Sequence, residues 1–232
     1  MNAATPPQAA RKRVLLSVCA LILAALACDL PASSPAPTPA ANQVIFTEVY
    51  TSYLHEGEAL PGSNVRYVSQ EEGAFVLMMG ETRTVKKTLD SLNWKGQVAP
   101  GVTLDYKLRI LGVVLDQFEA TGPLEIVVDS VTPVPGSVPE SADYHFDSLV
   151  ISSVAKKGYT IAGTAIGYAG KDDQGALLTG VDGEPHRQVL DSVDWSGQLR
   201  PNVWLKATLR VTAFDEKQLS MAGTGEIWIN TK

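Results

Sequence analysis

The sequence predicts an all-β protein: two tandem antiparallel β-sandwich or small-barrel units after a signal peptide and a Pro-rich spacer. Three observations predict it. A long stretch of the chain returns later in near-identical order. Apolar and polar residues alternate within each copy. Turn-forming residues punctuate the alternating runs at hairpin spacing.

The repeat sets the architecture. Leu89-Asp90-Ser91-Leu92-Asn93-Trp94-Lys95-Gly96-Gln97-Val98-Ala99-Pro100 matches Leu190-Asp191-Ser192-Val193-Asp194-Trp195-Ser196-Gly197-Gln198-Leu199-Arg200-Pro201. Downstream, Val102, Leu104, Leu108, Arg109, Gly122, Glu125 and Ile126 return as Val203, Leu205, Leu209, Arg210, Gly223, Glu226 and Ile227. Upstream, Gly62-Ser63-Asn64-Val65-Arg66-Tyr67 answers Gly163-Thr164-Ala165-Ile166-Gly167-Tyr168. Acidic turns follow in both copies, Glu71-Glu72-Gly73-Ala74 and Asp172-Asp173-Gln174-Gly175-Ala176, with Gln174 read as an extra residue at a hairpin tip.

In order along the chain, residues 1–27 read as a signal peptide. Arg11-Lys12-Arg13 precedes an apolar run from Val14 to Ala27, and Cys28 ends it. The run is short for a membrane span, which needs roughly 20 apolar residues. The end Ala25-Leu26-Ala27-Cys28 resembles the bacterial lipoprotein precursor, although that family prefers Leu where Ala25 stands. The resemblance implies a diacylglycerol on Cys28, cleavage before it, and a body held at the extracytoplasmic face of a membrane. Residues 28–43 form a spacer rich in Pro, Ala, Ser and Thr, with Pro31, Pro35, Pro37 and Pro39. Such a segment builds no core and tends to extended conformations.

Residues 44–129 are the first β repeat. Val102, Leu104, Tyr106, Leu108 and Ile110 alternate with Thr103, Asp105, Lys107 and Arg109, which sends one set inward and the other outward. A polar break at Asp116-Gln117 and a second strand through Leu124-Glu125-Ile126-Val127 complete a hairpin. Between Val85 and Trp94 the spacing of Val85, Leu89 and Leu92 is helical, but the second copy carries Pro185 and Val189 there, which opposes a helix. Residues 130–143 hold Pro133, Pro135, Gly136 and Pro139 and read as a linker. Residues 144–232 are the second repeat, with Val203, Leu205, Ala207, Leu209 and Val211 as its inward row. Each unit is expected to hold six or seven short strands. The repeat carries the motif of no named family; it resembles β modules that follow bacterial lipoprotein signals, which implies an envelope location and no chemistry.

Charge and cysteine use narrow the function. The chain has 19 Lys+Arg and 25 Asp+Glu, a net charge of −6. The signal holds three of the bases and no acid, so the remainder is more acidic still. Acidity argues against nucleic acid, whose phosphates need Lys and Arg. It also argues against an electrostatic membrane-binding face. Beyond Cys28 there is no cysteine, which excludes an internal disulfide and a Cys-based metal site there.

No catalytic constellation stands out. His55, His145 and His186 are far apart in sequence, and none has a histidine as its counterpart in the other copy. The acidic tips Glu71-Glu72 and Asp172-Asp173 lack the Asp spacing of a calcium loop and read as solvated turns. Trp94 and Trp195 share a repeat position beside a glycine, as a core element or a lid over one end of the core. Arg109 with Glu125, and Arg210 with Glu226, read as exposed cross-strand pairs worth roughly 0–1 kcal/mol. Trp204 and Trp228 stand where the first copy has Thr103 and Val127, and alternation points both outward. They are the candidate binding surface, for a sugar ring or a protein partner; packing between the units is the competing account. The expectation is thus a membrane-anchored envelope lipoprotein with non-enzymatic binding or structural repeats and no cofactor or metal. Its partners are the membrane, through the lipid on Cys28, and an envelope protein or glycan. The alternative is an extracytoplasmic hydrolase with a site between the units.

Overall fold

The computed structural model describes residues 42–232; the signal, Cys28 and nearly all of the spacer lie outside the described residues. The first copy forms β1 (Val44–Leu54), β2 (Val65–Glu71), β3 (Ala74–Met79), β4 (Thr82–Lys86), β5 (Ser91–Ala99), β6 (Val102–Val114) and β7 (Gln117–Val128). The second repeats the series as β9 (Tyr144–Lys156), β10 (Gly167–Asp172), β11 (Gly175–Thr179), β12 (His186–Arg187), β13 (Ser192–Arg200), β14 (Val203–Phe214) and β15 (Gln218–Ile229). Between them the linker contributes β8 (Val134–Pro135). All pairings are antiparallel, no sheet closes into a barrel, and the described residues hold no helix. Of the two predicted all-β forms, the sandwich is the one observed.

One nine-stranded sheet has the order β5-β6-β7-β1-β9-β15-β14-β13-β8, and two three-stranded sheets, β2-β3-β4 and β10-β11-β12, accompany it. Read from the middle outward, the large sheet is the same series twice, β1-β7-β6-β5 on one side and β9-β15-β14-β13 on the other. The copies meet through β1 and β9 about a pseudo-twofold axis. That seam is lightly laddered, with Thr47↔Val150 as its registered pair. Side chains reinforce it. Phe46 and Val44 reach Gly163 of the second copy, and Phe146 meets the Tyr50 ring of the first at 6.0 Å. Arg200 Nη1 donates to the Asp129 carbonyl at 2.7 Å. The buried residues of both copies form one hydrophobic core.

Within each copy the small sheet covers the inward face of the large one. Tyr67 on β2 stacks on Phe118 of β7 at 4.9 Å, and Phe75 on β3 meets the same ring edge-on at 5.5 Å. The predicted inward row of β6 is buried from Val102 to Ile110, as is Val203 to Val211 in β14. The repeated turn after β5 and β13 uses Pro100-Gly101 and Pro201-Asn202, with φ +67° at both Gly101 and Asn202. That conformation suits Gly or Asn after Pro. Gly122 and Gly223 recur because the neighbouring strand runs too close for a side chain: a Cβ would collide with the Lys107 or Thr208 carbonyl oxygen.

Two details of the sequence reading are corrected. Gln174 is not an insertion. Glu71↔Ala74 and Asp172↔Gly175 close equal two-residue tips, and Phe75↔Lys86 answers Ala176↔Arg187. The extra residue of the second copy lies in β9, where the register slips at Asp147-Ser148. The cross-strand pairs also differ. Glu125 and Glu226 lie across from Asp105 and Lys206, and they bond Lys107 at 3.0 Å and Lys206 at 3.5 Å. Arg109 instead donates to the Leu89 carbonyl at 2.9 Å.

Candidate functional site

The shared Trp-x-Gly element builds the same platform twice. Residues two apart on a strand share a face, so the Trp94 ring lies over Gly96 and the Trp195 ring over Gly197. What surrounds the two rings differs. In the first copy Tyr106 lies opposite Trp94 in the ladder, with ring centroids 6.2 Å apart, and its hydroxyl donates to the Pro61 carbonyl at 2.8 Å. Trp94 Nε1 donates to Asn64 Oδ1 at 2.7 Å, and Met79 packs against the core. In the second copy the residues at these three positions are Ala207, Ala165 and Gly180. Tyr106 and Asn64, which meet Trp94, are thus alanines in the second copy, while Gly80 beside Asn64 is answered there by the larger Val181.

The result is a cleft of about 600 Å³ in the second copy, with Trp195 and Ala207 among its lining residues. Gly180, Val181 and Asp182 come from the loop after β11, and Pro135 and Gly136 from the linker. Asp194, Ser196 and Lys206 border it from β13 and β14, with the Asp194 and Lys206 side chains turned to the opposite face of the sheet, toward Thr208 and Glu226. Trp195 is 5% exposed, and its Nε1 is buried with no protein acceptor. A buried donor without a partner costs about 1–3 kcal/mol.

The predicted pair Trp204 and Trp228 is brought together: they are direct cross-strand partners on β14 and β15. They are not two bare rings. Trp204 is half-buried, and Trp228 is only 8% exposed because the His145 ring stacks on it at 4.5 Å, nearly parallel. His145 Nε2 also meets Glu226 at 3.2 Å, which holds the imidazole flat. A covered Trp228 leaves Trp204 as the more accessible half of the surface. Cys28 lies outside the described residues.

The other histidines stay apart. His55 Nε2 meets Gln117 Nε2 at 3.1 Å. His186 lies between Glu184 at 2.8 Å and Asp172 at 2.9 Å, and hydrogen bonds to both carboxylates raise its pKa. The same contacts help hold those carboxyls below their usual range. Among the described residues no three His, Cys, Asp or Glu side chains gather closely enough to hold a metal ion.

Sequence reasoning missed Glu48. It sits in the inward row of β1, 5% exposed, where the second copy has Leu149. A small cleft at the seam gathers Glu48 and Tyr50 of β1 with His145, Asp147 and Ser148 of β9. Burial raises the Glu48 pKa, the Ser148 backbone N–H lowers it, and Asp147 raises it further. Tyr50, whose ring meets Tyr106 at 5.4 Å, is pushed up to about 12, chiefly by burial. The missed cleft under Trp195 had a signal in the sequence: Tyr106 against Ala207 and Asn64 against Ala165 are changes at inward or turn positions, while the comparison of copies looked outward. Comparison with protein-family models, curated proteins and solved structures finds no match to this chain.

Proposed function

We propose that the chain is an exported envelope lipoprotein, anchored through a lipid on Cys28, whose duplicated β body is non-enzymatic and binds an envelope protein or glycan through its second copy. The observation that carries the reading is the N-terminal arrangement: Arg11-Lys12-Arg13, the short apolar run, small residues at the cut, Cys28 and the Pro-rich spacer. The binding role draws support from the second copy's differences from the first, which are concentrated in aromatic platforms: Trp204 and Trp228 added on one face, and space opened at Trp195 on the other.

Labelling with a clickable fatty acid in a bacterial host tests the anchor. The wild-type chain takes up label and partitions into detergent, and Cys28→Ala does neither. Equal labelling of the variant overturns the lipoprotein reading. A second reading, the hydrolase with a site between the copies, has one observation in its favour: the seam cleft that holds Glu48, His145, Asp147 and Ser148. Ester or glycoside turnover that disappears in Glu48→Gln would favour it.

A further inference from the structure

We infer that the Pro-rich spacer pairs with the free edge of the first copy: residues 33–36 lie along β5 as the linker strand β8 lies along β13 in the second copy. The strand that this edge receives is thus a segment of the same chain. The pairing does not require a lipid at Cys28. Three observations carry it.

The first is the unequal edges of the two copies. β13 carries β8 on its outer side, with Gly197 opposite Pro135 and Gln198 opposite Val134. Gly136 N–H donates to the Ser196 carbonyl at 3.1 Å, and Thr132 N–H donates to the Leu199 carbonyl at 2.8 Å. Its counterpart β5 ends the sheet, with β6 as its single partner among the described residues. The difference reaches burial. Trp195, Gly197 and Leu199 are buried, whereas Trp94, Gly96 and Val98 are only half-buried. A run of unpaired edge backbone is a template for a further strand.

The second is where the chain enters each copy. Val44 and Tyr144 open β1 and β9, opposite Val128 and Ile229. Just before them, Gln43 Nε2 donates to Asp129 Oδ1 at 2.7 Å and Asp143 N–H donates to Asn230 Oδ1 at 3.0 Å. Asp129 and Asn230 hold matching places, their N–H groups donating to the Gly101 and Asn202 carbonyls, both at 2.9 Å. In the second copy residues 137–143 bring the chain from the β13 edge to this entry. Residues 37–43 are as many, so the spacer can make the same traverse from β5.

The third is the sequence of the spacer. Counted back from Phe46 and Phe146, Pro35 answers Pro135 and Pro39 answers Pro139. The linker donates through Thr132 and Gly136, and Ala32 and Ala36 keep an N–H at those two places. Pro37 falls beyond the paired stretch. A proline at position 35 is as acceptable as Pro135, because an outermost strand can turn its missing N–H to solvent.

Pairing shortens the free chain. From Cys28 to residue 33 the backbone reaches at most about 18 Å, against about 50 Å from Cys28 to Asn42. Where Cys28 carries a lipid, a step that rests on the lipoprotein reading, the paired spacer sets the β5 edge close to the membrane.

The test follows backbone amides of the full chain in detergent by ¹⁵N NMR. The reporter is Gln97 N–H, the counterpart of the Gln198 N–H that faces Val134. A second chain carries Ser34→Pro and Ala36→Pro, which removes two N–H donors from the spacer and leaves the body unchanged. In the unaltered chain Gln97 is expected to exchange with deuterium at least about tenfold more slowly than in the proline chain. Gln198 is expected to exchange equally in both, as the control on folding. A close contact between Pro35 Hα and a Gly96 Hα, like that of Pro135 with Gly197, is expected in the unaltered chain alone. Equal Gln97 exchange in the two chains, or no contact between Pro35 and Gly96, overturns the inference. Gln97 protection that survives both prolines and fades on dilution overturns it too, and gives the edge to another molecule of this chain.

Discussion

Glu48 is a carboxyl group in a row of β1 that, Ser52 apart, builds core. Phe46 precedes it and Tyr50 follows it on the same face of β1. The corresponding row in β9 reads Phe146, Leu149 and Ile151. Its raised pKa makes a signed prediction. A group that holds its proton more tightly when folded contributes stability that is complete below the unfolded value, near 4.5, and is lost as pH rises through the folded value. Glu48→Gln keeps an acceptor for the Ser148 N–H and cannot ionise. Urea midpoints of the wild type are therefore expected to fall relative to the variant from about pH 4.5 upward. Parallel pH curves for the two proteins would refute this role. Asp143, Asp172, Glu184 and Asp215 have lowered pKa values and act in the opposite sense in both proteins, so the difference isolates Glu48. Alternation could not place this residue. Val44, Phe46 and Leu54 lie on one face of β1 and Ile45, Val49 and Tyr53 on the other, so both faces are comparably apolar and period two names neither as inward.

The turn between β4 and β5 explains the most faithful block of the repeat. Leu89 and Leu190 adopt φ of +69° and +78°, and their N–H groups donate to Ile110 and Val211 at 2.8 Å. Asp90 and Asp191 accept from the backbone N–H of Lys87 and Gln188 at 2.8 and 2.7 Å. The Leu-Asp pair is therefore turn chemistry, with the leucine side chains 64% and 68% exposed. A left-handed conformation costs a non-glycine residue roughly 1–2 kcal/mol, part of which glycine returns through its freer unfolded chain. Leu89→Gly and Leu190→Gly are each expected to be neutral or to stabilise by up to about 1 kcal/mol in denaturant titration. Destabilisation by more than that would mean the leucines make contacts the turn does not require. The helical spacing of Val85, Leu89 and Leu92 arises because two exposed residues and one buried one happen to fall at that interval. Local turn strain leaves no periodic mark, so the sequence could show that the block was shared but not what it does.

At the scale of the whole molecule, the repeat states what each copy is but not which edges meet. The hairpins, the inward rows and the count of strands were legible because each leaves a period-two pattern or a turn residue. The seam was not, because it depends on Phe46 and Phe146 crossing to the other copy and on a one-residue slip in β9. The site was half legible for the same reason: Trp204 and Trp228 announce themselves as added rings, whereas Ala207, Ala165 and Gly180 act by what they lack. A core shared across the seam predicts one cooperative transition. Calorimetry of the intact chain is expected to give a single peak with equal calorimetric and van't Hoff enthalpies, and Phe46→Ala is expected to lower its midpoint without splitting it. Phe→Ala changes in cores typically cost about 3–5 kcal/mol. Two separable transitions in the wild type would show that the copies fold independently.

The two ends of the large sheet are unequal, and this bears on aggregation. At one end the linker strand β8 lies along β13, joined by Gly136 N–H to the Ser196 carbonyl at 3.1 Å and by Thr132 N–H to Leu199 at 2.8 Å. Its outermost piece is two residues long, and one of them, Pro135, has no N–H to offer a newcomer. At the other end β5 pairs only with β6 among the described residues. A sheet with two open margins can grow without limit, since each added molecule presents a fresh margin to the next. Over Ser196–Leu199 the β13 margin offers a newcomer proline-bearing backbone in place of a free strand, so strand addition to the large sheet is favoured at β5, where two molecules freed of the spacer would join as a pair. The linker thus blunts one end of the large sheet with backbone that a survey of turn residues would class as mere connection.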